Sequence, residues 1–142
     1  YGLDPNIVLA ICTHERGLHS DIVDSGGAVG LFQIQVEGNW SWDNQQVTAF
    51  NYETNSWETV TVSKEKVSDV FENIKIGCMI FQNNFIAQKY NVARAIQAYN
   101  YGAGNMEIVL NTCCSEENCS REDLNNQDNL SWLKYRNLIL TF

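Results

Sequence analysis

The sequence predicts a mainly α-helical domain with one small β-hairpin inserted between its helices. Apolar residues recur at helical spacing near the start of the chain and again from residue 63 onward. Between these regions, the stretch 46–62 is rich in Val, Thr and aromatic residues, which is typical of paired strands. The 142 residues, 44% hydrophobic and 18% charged, have the length and composition of a single globular domain, 1–142.

The first helix is predicted over 5–16. Asp4 can accept hydrogen bonds from the open backbone N–H groups, and Pro5 fits the first helical turn because its missing N–H costs nothing there. Gly17 can adopt the left-handed conformation that ends a helix. The helix therefore has a defined beginning and end.

Apolar residues on this helix form a stripe that leads to a carboxylate. Val8, Ile11 and Cys12 recur at helical spacing, and Glu15 lies three positions after Cys12 along the same stripe. We therefore expect Glu15 at the end of the face that is turned to the core.

The next stretch, 17–36, is predicted to be a loop followed by a short apolar segment. Gly26, Gly27 and Gly30 cluster here. Glycines at this density let the backbone come close to another element or to a ligand.

The hairpin insert, 46–62, is predicted as strands 46–52 and 57–62 joined by a polar turn at 53–56. Aromatic residues cluster in and before it: Trp40, Trp42, Phe50, Tyr52 and Trp57. Aromatic faces can stack on sugar rings, which would make the insert a glycan-binding flap, but a small hairpin also needs aromatic residues to pack onto the body. Both interpretations remain open at this point.

From Ser63, a candidate N-cap, the pattern predicts a long helix to about Tyr90. One apolar face of this helix comprises Ile74, Gly77, Cys78, Phe81 and Phe85. Further helices are predicted over 92–100 and 105–111, then a capping box at 120–123 and an amphipathic segment at 130–140.

Charge and hydropathy exclude several classes of partner. Nine Lys and Arg against seventeen Asp and Glu give a net charge of −8, which opposes binding to nucleic acid or to an anionic membrane surface. No stretch is apolar for the roughly 18–20 residues of a membrane span, and no targeting signal is present. The absence of an initiating Met predicts a domain excised from a longer protein. The pattern makes no prediction of oligomeric state.

The cysteines and histidines predict no metal site and no cofactor. Cys12 and Cys78 lie in apolar helical contexts, which favours buried free thiols over a bridge. Among Cys113, Cys114 and Cys119, a local disulfide would involve Cys119, because adjacent cysteines do not easily bridge each other. No spacing matches a structural zinc site, and His14 and His19 share no helix face with further ligands.

Three motifs in order carry a family resemblance. Glu15 precedes a Gly27-Ala28-Val29-Gly30-Leu31-Phe32-Gln33-Ile34 run, and Gln33 follows Glu15 by eighteen residues. Asn73-Ile74-Lys75-Ile76-Gly77 and Ala98-Tyr99-Asn100-Tyr101-Gly102 come next. Together with the opening Tyr1-Gly2-Leu3-Asp4-Pro5, they resemble the SLT-type lytic transglycosylases, the goose-lysozyme-like family that cleaves peptidoglycan. The resemblance spans nearly the whole chain except the hairpin insert and the cysteine-bearing C-terminal third.

This resemblance implies a lysozyme-like helical fold with a cleft for glycan strands of alternating N-acetylglucosamine and N-acetylmuramic acid. Cleavage of their β-1,4 bond needs a carboxylic acid that is protonated near neutral pH, and partial burial favours that state. Glu15, at the end of the apolar stripe, is the predicted acid. The structural alternative is a helix-end carboxylate paired with Arg16 or Arg94.

Asp24 departs from the family pattern, which usually has Ser nine residues after its Glu, at the position thought to steady the N-acetyl group of the substrate. The carboxylate could act as a second acid that activates water, as in inverting hydrolases, or it could be a turn residue that bonds its own backbone. Ser25 could supply the missing hydroxyl. The family resemblance as a whole slightly favours a lytic transglycosylase over a hydrolytic muramidase.

The remaining predicted substrate-binding residues are Gln33, Gln35, Tyr99 and Asn100. By resemblance, Gln33 lines the cleft and the hydroxyl of Tyr99 faces the acid, whereas a core aromatic is the alternative for Tyr99. Phe32 and Gln35 replace Met and are expected to be cleft or packing substitutions. The resemblance also implies an extracellular place of action, at the cell wall or on a virion. The rival of another class is a non-catalytic glycan-binding module on the same fold.

Overall fold

The computed structural model describes residues 1–16 and 26–101. The chain divides into two compact units, Tyr1–Asn83 and Asn84–Phe142. The helices are α1 (Pro5–Arg16), α2 (Lys64–Ser68), α3 (Val70–Ala87) and α4 (Val92–Tyr101). The strands are β1 (Ala28–Val29), β2 (Ile34–Gln35), β3 (Gln46–Asn51) and β4 (Ser56–Thr61).

Helix α1 has the predicted bounds. The carboxylate of Asp4 accepts a hydrogen bond from the backbone N–H of Asn6 at 2.8 Å, so that Asp4 caps the helix as expected. The predicted C-cap, Gly17, lies outside the described residues, as do Asp24 and Ser25.

Two antiparallel hairpins follow α1, of which the sequence predicted one. The pair β3–β4 confirms the insert, with the turn starting one residue earlier than expected, at Tyr52. The pair β1–β2 was not predicted, because two residues in each strand are too few for an alternating pattern to show. A four-residue turn, 30–33, joins these two short strands.

The predicted long helix is interrupted at Asp69, so the expectation of one continuous helix from Ser63 was wrong. Ser63 caps α2 as predicted, accepting from the N–H of Lys66 at 3.2 Å. Asp69 then adopts an extended conformation, and its carboxylate accepts from the N–H of Glu72 at 3.0 Å. A side chain that caps the following helix offers the backbone an alternative to continuing the previous one.

Helix α3 is the central element of the first unit and is buried on more than the single predicted face. Ile76 and Met79 are fully buried, whereas the predicted face residues Ile74, Cys78 and Phe85 are only half-buried. Other fully buried side chains of this unit come from α1, the β1–β2 hairpin and the insert: Ile11, Phe32, Ile34, Val47 and Val62.

The insert is attached to α3 by one buried side chain, Gln82. Its amide nitrogen donates to the backbone carbonyls of Tyr1, at 2.9 Å, and Phe50, at 2.8 Å. Its amide oxygen accepts from the N–H of Phe50 at 2.7 Å. Gln82 thereby satisfies both backbone groups of Phe50 that face away from β4, on the open edge of β3.

In the second unit, helix α4 confirms the helix predicted over 92–100 and extends to Tyr101. Asn91 caps it by accepting from the N–H of Arg94 at 3.1 Å. The segments predicted at 105–111, 120–123 and 130–140, and Cys113, Cys114 and Cys119, lie outside the described residues. No helix within the described ranges combines the length and the apolarity that a bilayer crossing requires.

Candidate functional site

Glu15 lies in the last turn of α1, at the end of the stripe that the sequence predicted. Ile11 and Cys12 are buried and Glu15 itself is half-buried. The carboxylate is close enough to the thiol of Cys12 that its charge contributes to the raised pKa of that thiol. The carboxyl group therefore lies beside the buried residues of α1, in the first unit.

Two of the predicted substrate-binding residues, Gln33 and Gln35, are brought together in the β1–β2 hairpin. The turn between the strands is closed by the N–H of Gln33, which donates to the carbonyl of Gly30 at 3.1 Å. The side-chain amide of Gln33 donates to the same carbonyl at 2.8 Å. Gln33 adopts a φ of 47°, a left-handed conformation that is uncommon for residues other than glycine and recurs at functional sites.

Gln35 braces the backbone just before β1 and just after β2. Its side-chain amide donates to the backbone carbonyl of Gly26 and, at 2.9 Å, to that of Glu37. The structure thus gives Gln35 a backbone-bracing contact, and its substrate-binding role stays a prediction.

The turn that carries Gln33 is fixed to α3 by Asn73. This side chain is 1% exposed, and its amide oxygen accepts from the N–H of Phe32 at 2.9 Å. Its amide nitrogen donates to the carbonyls of Val29 and Val67, both at 2.8 Å. One buried amide therefore ties together the β1–β2 hairpin, the end of α2 and the start of α3.

The β1–β2 turn also packs closely against α3 at two positions that require glycine. A Cβ atom at Gly77 would overlap the ring of Phe32, which is fully buried against the helix at this point. At Gly30, whose φ is 73°, a Cβ would overlap the amide of Asn73. Phe32 is thus a packing residue, one of the two alternatives predicted for it.

Asn73 is the positioning residue that the sequence analysis missed. Its motif was noted for its resemblance alone, without a role. The available signal was the spacing of Asn73, four positions before Gly77 on the predicted apolar face, because a buried polar side chain must be hydrogen-bonded.

The other motif residues lie in the second unit. Tyr99 is half-buried in α4, and Asn100 is the next residue of the same helix. Helical geometry places Tyr99 in the last turn of α4.

An apolar pocket of about 370 Å³ lies between the N-terminal segment, α1 and α3 within the first unit. Both described thiols line it. Burial raises the pKa of Cys12 to about 12 and that of Cys78 to about 11, so both thiols are protonated at neutral pH. Both cysteines are free, as expected, but only Cys12 is buried, whereas Cys78 is half-buried.

No group of three or more His, Cys, Asp or Glu side chains suited to a metal ion occurs within residues 1–16 and 26–101.

The family comparison agrees with the motifs. The family model described as "Transglycosylase SLT domain" matches residues 1–113, which include α1, both hairpins, α3 and α4. No curated protein and no solved structure matched the chain. Because the match covers well over half of the sequence, the chain belongs to the SLT transglycosylase domain family.

Proposed function

We propose that this protein cleaves the β-1,4 bond between N-acetylmuramic acid and N-acetylglucosamine in peptidoglycan, with Glu15 as the acid and then the base. The observation that carries the proposal is the position of Glu15. In a chain of the SLT family, it is the half-buried carboxyl at the end of the buried stripe of α1. The proposal treats 1–142 as one catalytic domain that acts outside the cell, at a cell wall or on a virion.

In the first step, protonated Glu15 gives its proton to the glycosidic oxygen as the bond to the anomeric carbon breaks. The leaving N-acetylglucosamine end departs as an alcohol. The Glu15 carboxylate then takes a proton from the nucleophile that attacks the anomeric carbon. If the nucleophile is the 6-hydroxyl of the same muramic acid, the product is a 1,6-anhydro sugar and Glu15 regains its proton.

Substrate binding is assigned to Gln33, Gln35, Tyr99, Asn100 and Ser25. The support for Gln33 is its left-handed backbone in a turn fixed by Asn73, since such rigidity would hold its side chain in place for a glycan. For Tyr99, the proposal is a hydroxyl that faces the reacting groups.

A muramidase is the second candidate, because Asp24 stands where the family usually has Ser. If Asp24 activates water on the opposite side of the sugar from Glu15, hydrolysis leaves a reducing end. The intramolecular outcome is preferred because the other motifs match the transglycosylase pattern.

The test compares lysis of purified peptidoglycan sacculi by the wild-type protein, Glu15→Gln and a matched control, Glu65→Gln. The amide keeps the shape of Glu15 and removes its proton, so we expect lysis to fall at least about 100-fold. Glu65 is exposed on α2, and its variant should lyse sacculi like the wild type. If Glu15→Gln retains more than a few per cent of the lytic rate, Glu15 is not the acid. A wild-type protein that binds sacculi without releasing fragments would be a glycan-binding module.

A further inference from the structure

The outer face of the β3–β4 hairpin is an uncharged surface with exposed aromatic rings. The buried face of the hairpin contains Val47 and Ala49, so the alternate residues of β3 lie on the other side. The outer face consists of three cross-strand pairs: Gln46 with Thr61, Thr48 with Thr59, and Phe50 with Trp57. None of these six side chains is charged, although the chain carries a net charge of −8.

The aromatic residues at the end of this face form one cluster, the aromatic platform, defined as Phe50, Tyr52 and Trp57. The ring of Phe50 meets that of Tyr52 edge-on at 4.9 Å between centroids, and that of Trp57 at 5.4 Å. Tyr52 is 64% exposed and Trp57 is 65% exposed. Packing onto the body therefore accounts for only part of these rings, and exposed aromatic clusters mark interaction surfaces.

The backbone beneath the platform is anchored at its central residue, Phe50. Both the N–H and the carbonyl of Phe50 are bonded to buried Gln82. Those groups consequently do not bond β4, which makes Phe50 and Trp57 a non-hydrogen-bonded pair with closely spaced side chains. A surface that is ordered before binding loses little entropy when a ligand is bound.

The chemistry of this face suits a carbohydrate. The faces of Tyr and Trp rings offer apolar area to the C–H groups of a pyranose, and each ring also carries a polar group. The Thr48 and Thr59 hydroxyls, which bond each other at 2.8 Å, continue the face with uncharged hydrogen-bonding groups. A phosphate-bearing polymer would require cations, and the face has none.

We propose that the aromatic platform is a second binding surface for the glycan strand, outside the catalytic cleft, that stacks on N-acetyl-sugar rings. The identity of the sugar polymer rests on the proposed function. By holding insoluble peptidoglycan, the platform would raise the local concentration of cleavable bonds without taking part in the reaction.

The test measures co-sedimentation of the full chain with peptidoglycan sacculi and, separately, with insoluble chitin, a polymer of N-acetylglucosamine without peptides. The variants are Tyr52→Ala, Trp57→Ala and the double variant, and the control is Phe71→Ala. Phe71 is an even more exposed ring, 82% accessible, at the start of α3 and outside the hairpin. Each protein also carries Glu15→Gln, so that the sacculi stay intact during the measurement.

We expect the double variant to bind both polymers about tenfold more weakly, with an unchanged melting temperature, and Phe71→Ala to bind like its parent. If the double variant binds more weakly but the wild-type protein, with Glu15 intact, cleaves no glycan, the platform is supported and only the proposed function is refuted. Equal binding by the double variant and its parent, or no binding by the parent, would overturn the platform. The platform would also be overturned if the protein forms a dimer and Trp57→Ala dissociates it without changing glycan binding. The face would then bind a second copy of the chain.

Discussion

Asn73 shows how one buried side chain can position a site that it does not belong to. Its three hydrogen bonds join backbone groups at Val29 and Phe32 to one at Val67, which lies more than thirty residues further along the chain. Because the side chain is only 1% exposed, water cannot replace these bonds when the amide is removed.

Replacing Asn73 by Ala should therefore lower the free energy of unfolding by about 3–5 kcal/mol, since each stranded buried group costs about 1–3 kcal/mol. Urea unfolding of the full chain measures this loss. Asn83, exposed on the same helix, provides the control, and Asn83→Ala should change stability by less than about 0.5 kcal/mol. Similar small losses in both variants would show that the Asn73 bonds do not hold the turn.

Tyr99 is half-buried in α4. Removing its hydroxyl alone separates a role in lysis from a role of the ring in stability. We expect Tyr99→Phe to slow lysis by at least about tenfold, because it removes the hydroxyl that is proposed to face the reacting groups. The melting temperature should change little, since the ring remains. A marked fall in melting temperature with a normal rate of lysis would instead make Tyr99 a core residue.

The role of Asp24 is tested by the identity of the released products more than by the rate of lysis. On the preferred account, the wild-type protein already releases 1,6-anhydro products, and Asp24→Ser changes its rate by less than about threefold because it restores the usual family residue. The products are separated and identified by chromatography with mass spectrometry. Reducing ends alone from the wild type, together with loss of activity in Asp24→Ser, would establish a muramidase.

At the scale of elements, the insert is fastened to the body through Glu58 as well as Gln82. The Glu58 carboxylate accepts from the hydroxyl of Tyr1 at 2.6 Å and from the amide of Asn51 at 2.7 Å. Lys75 on α3 lies 3.6 Å away. All three contacts favour the charged carboxylate, and the hydrogen bond from Tyr1 contributes most. Together they hold the pKa of Glu58 below its ordinary value of 4.5.

This lowered pKa gives a pH-dependent contribution to stability with a definite sign. A group whose pKa is lower in the folded state stabilises the fold above its ordinary pKa, and the contribution is lost as the pH falls through the folded value. Glu58→Gln should therefore reduce the free energy of unfolding more at pH 7 than at pH 3. Urea unfolding at both pH values measures the difference, with the exposed hairpin residue Glu53, as Glu53→Gln, for comparison. An equal effect of Glu58→Gln at both pH values would contradict the assignment.

Elements with strong local signals could be predicted from the sequence, whereas tertiary contacts could not. Asp4 and Pro5 defined the start of α1, and the Val- and Thr-rich stretch defined the insert within one residue. The break at Asp69 was missed because the apolar pattern continues across it, and the capping contact with Glu72 overrides that pattern. The β1–β2 pair depends on its contact with Asn73, which lies more than forty residues away along the chain.

The candidate site was likewise predictable where it depends on local sequence patterns, and not where it depends on tertiary contacts. The position of Glu15 follows from helical spacing alone. The fastening of the Gln33 turn does not, because it depends on the amide of Asn73 and on the space that Gly77 leaves for Phe32.

At the scale of the whole molecule, an acidic chain of the SLT family combines a carboxyl proposed as the catalytic acid, a braced turn and a proposed platform. An uncharged outer face on an otherwise acidic protein fits a sugar polymer better than nucleic acid. The central claim is that the protein breaks glycan strands and that Glu15 supplies the proton.

Mass spectrometry of the fragments released from purified sacculi tests this claim most directly. The account predicts disaccharide-containing fragments that end in 1,6-anhydro-N-acetylmuramic acid with the wild-type protein, and none with Glu15→Gln. The absence of glycan fragments from the wild-type digest, or their equal release by Glu15→Gln, would contradict it.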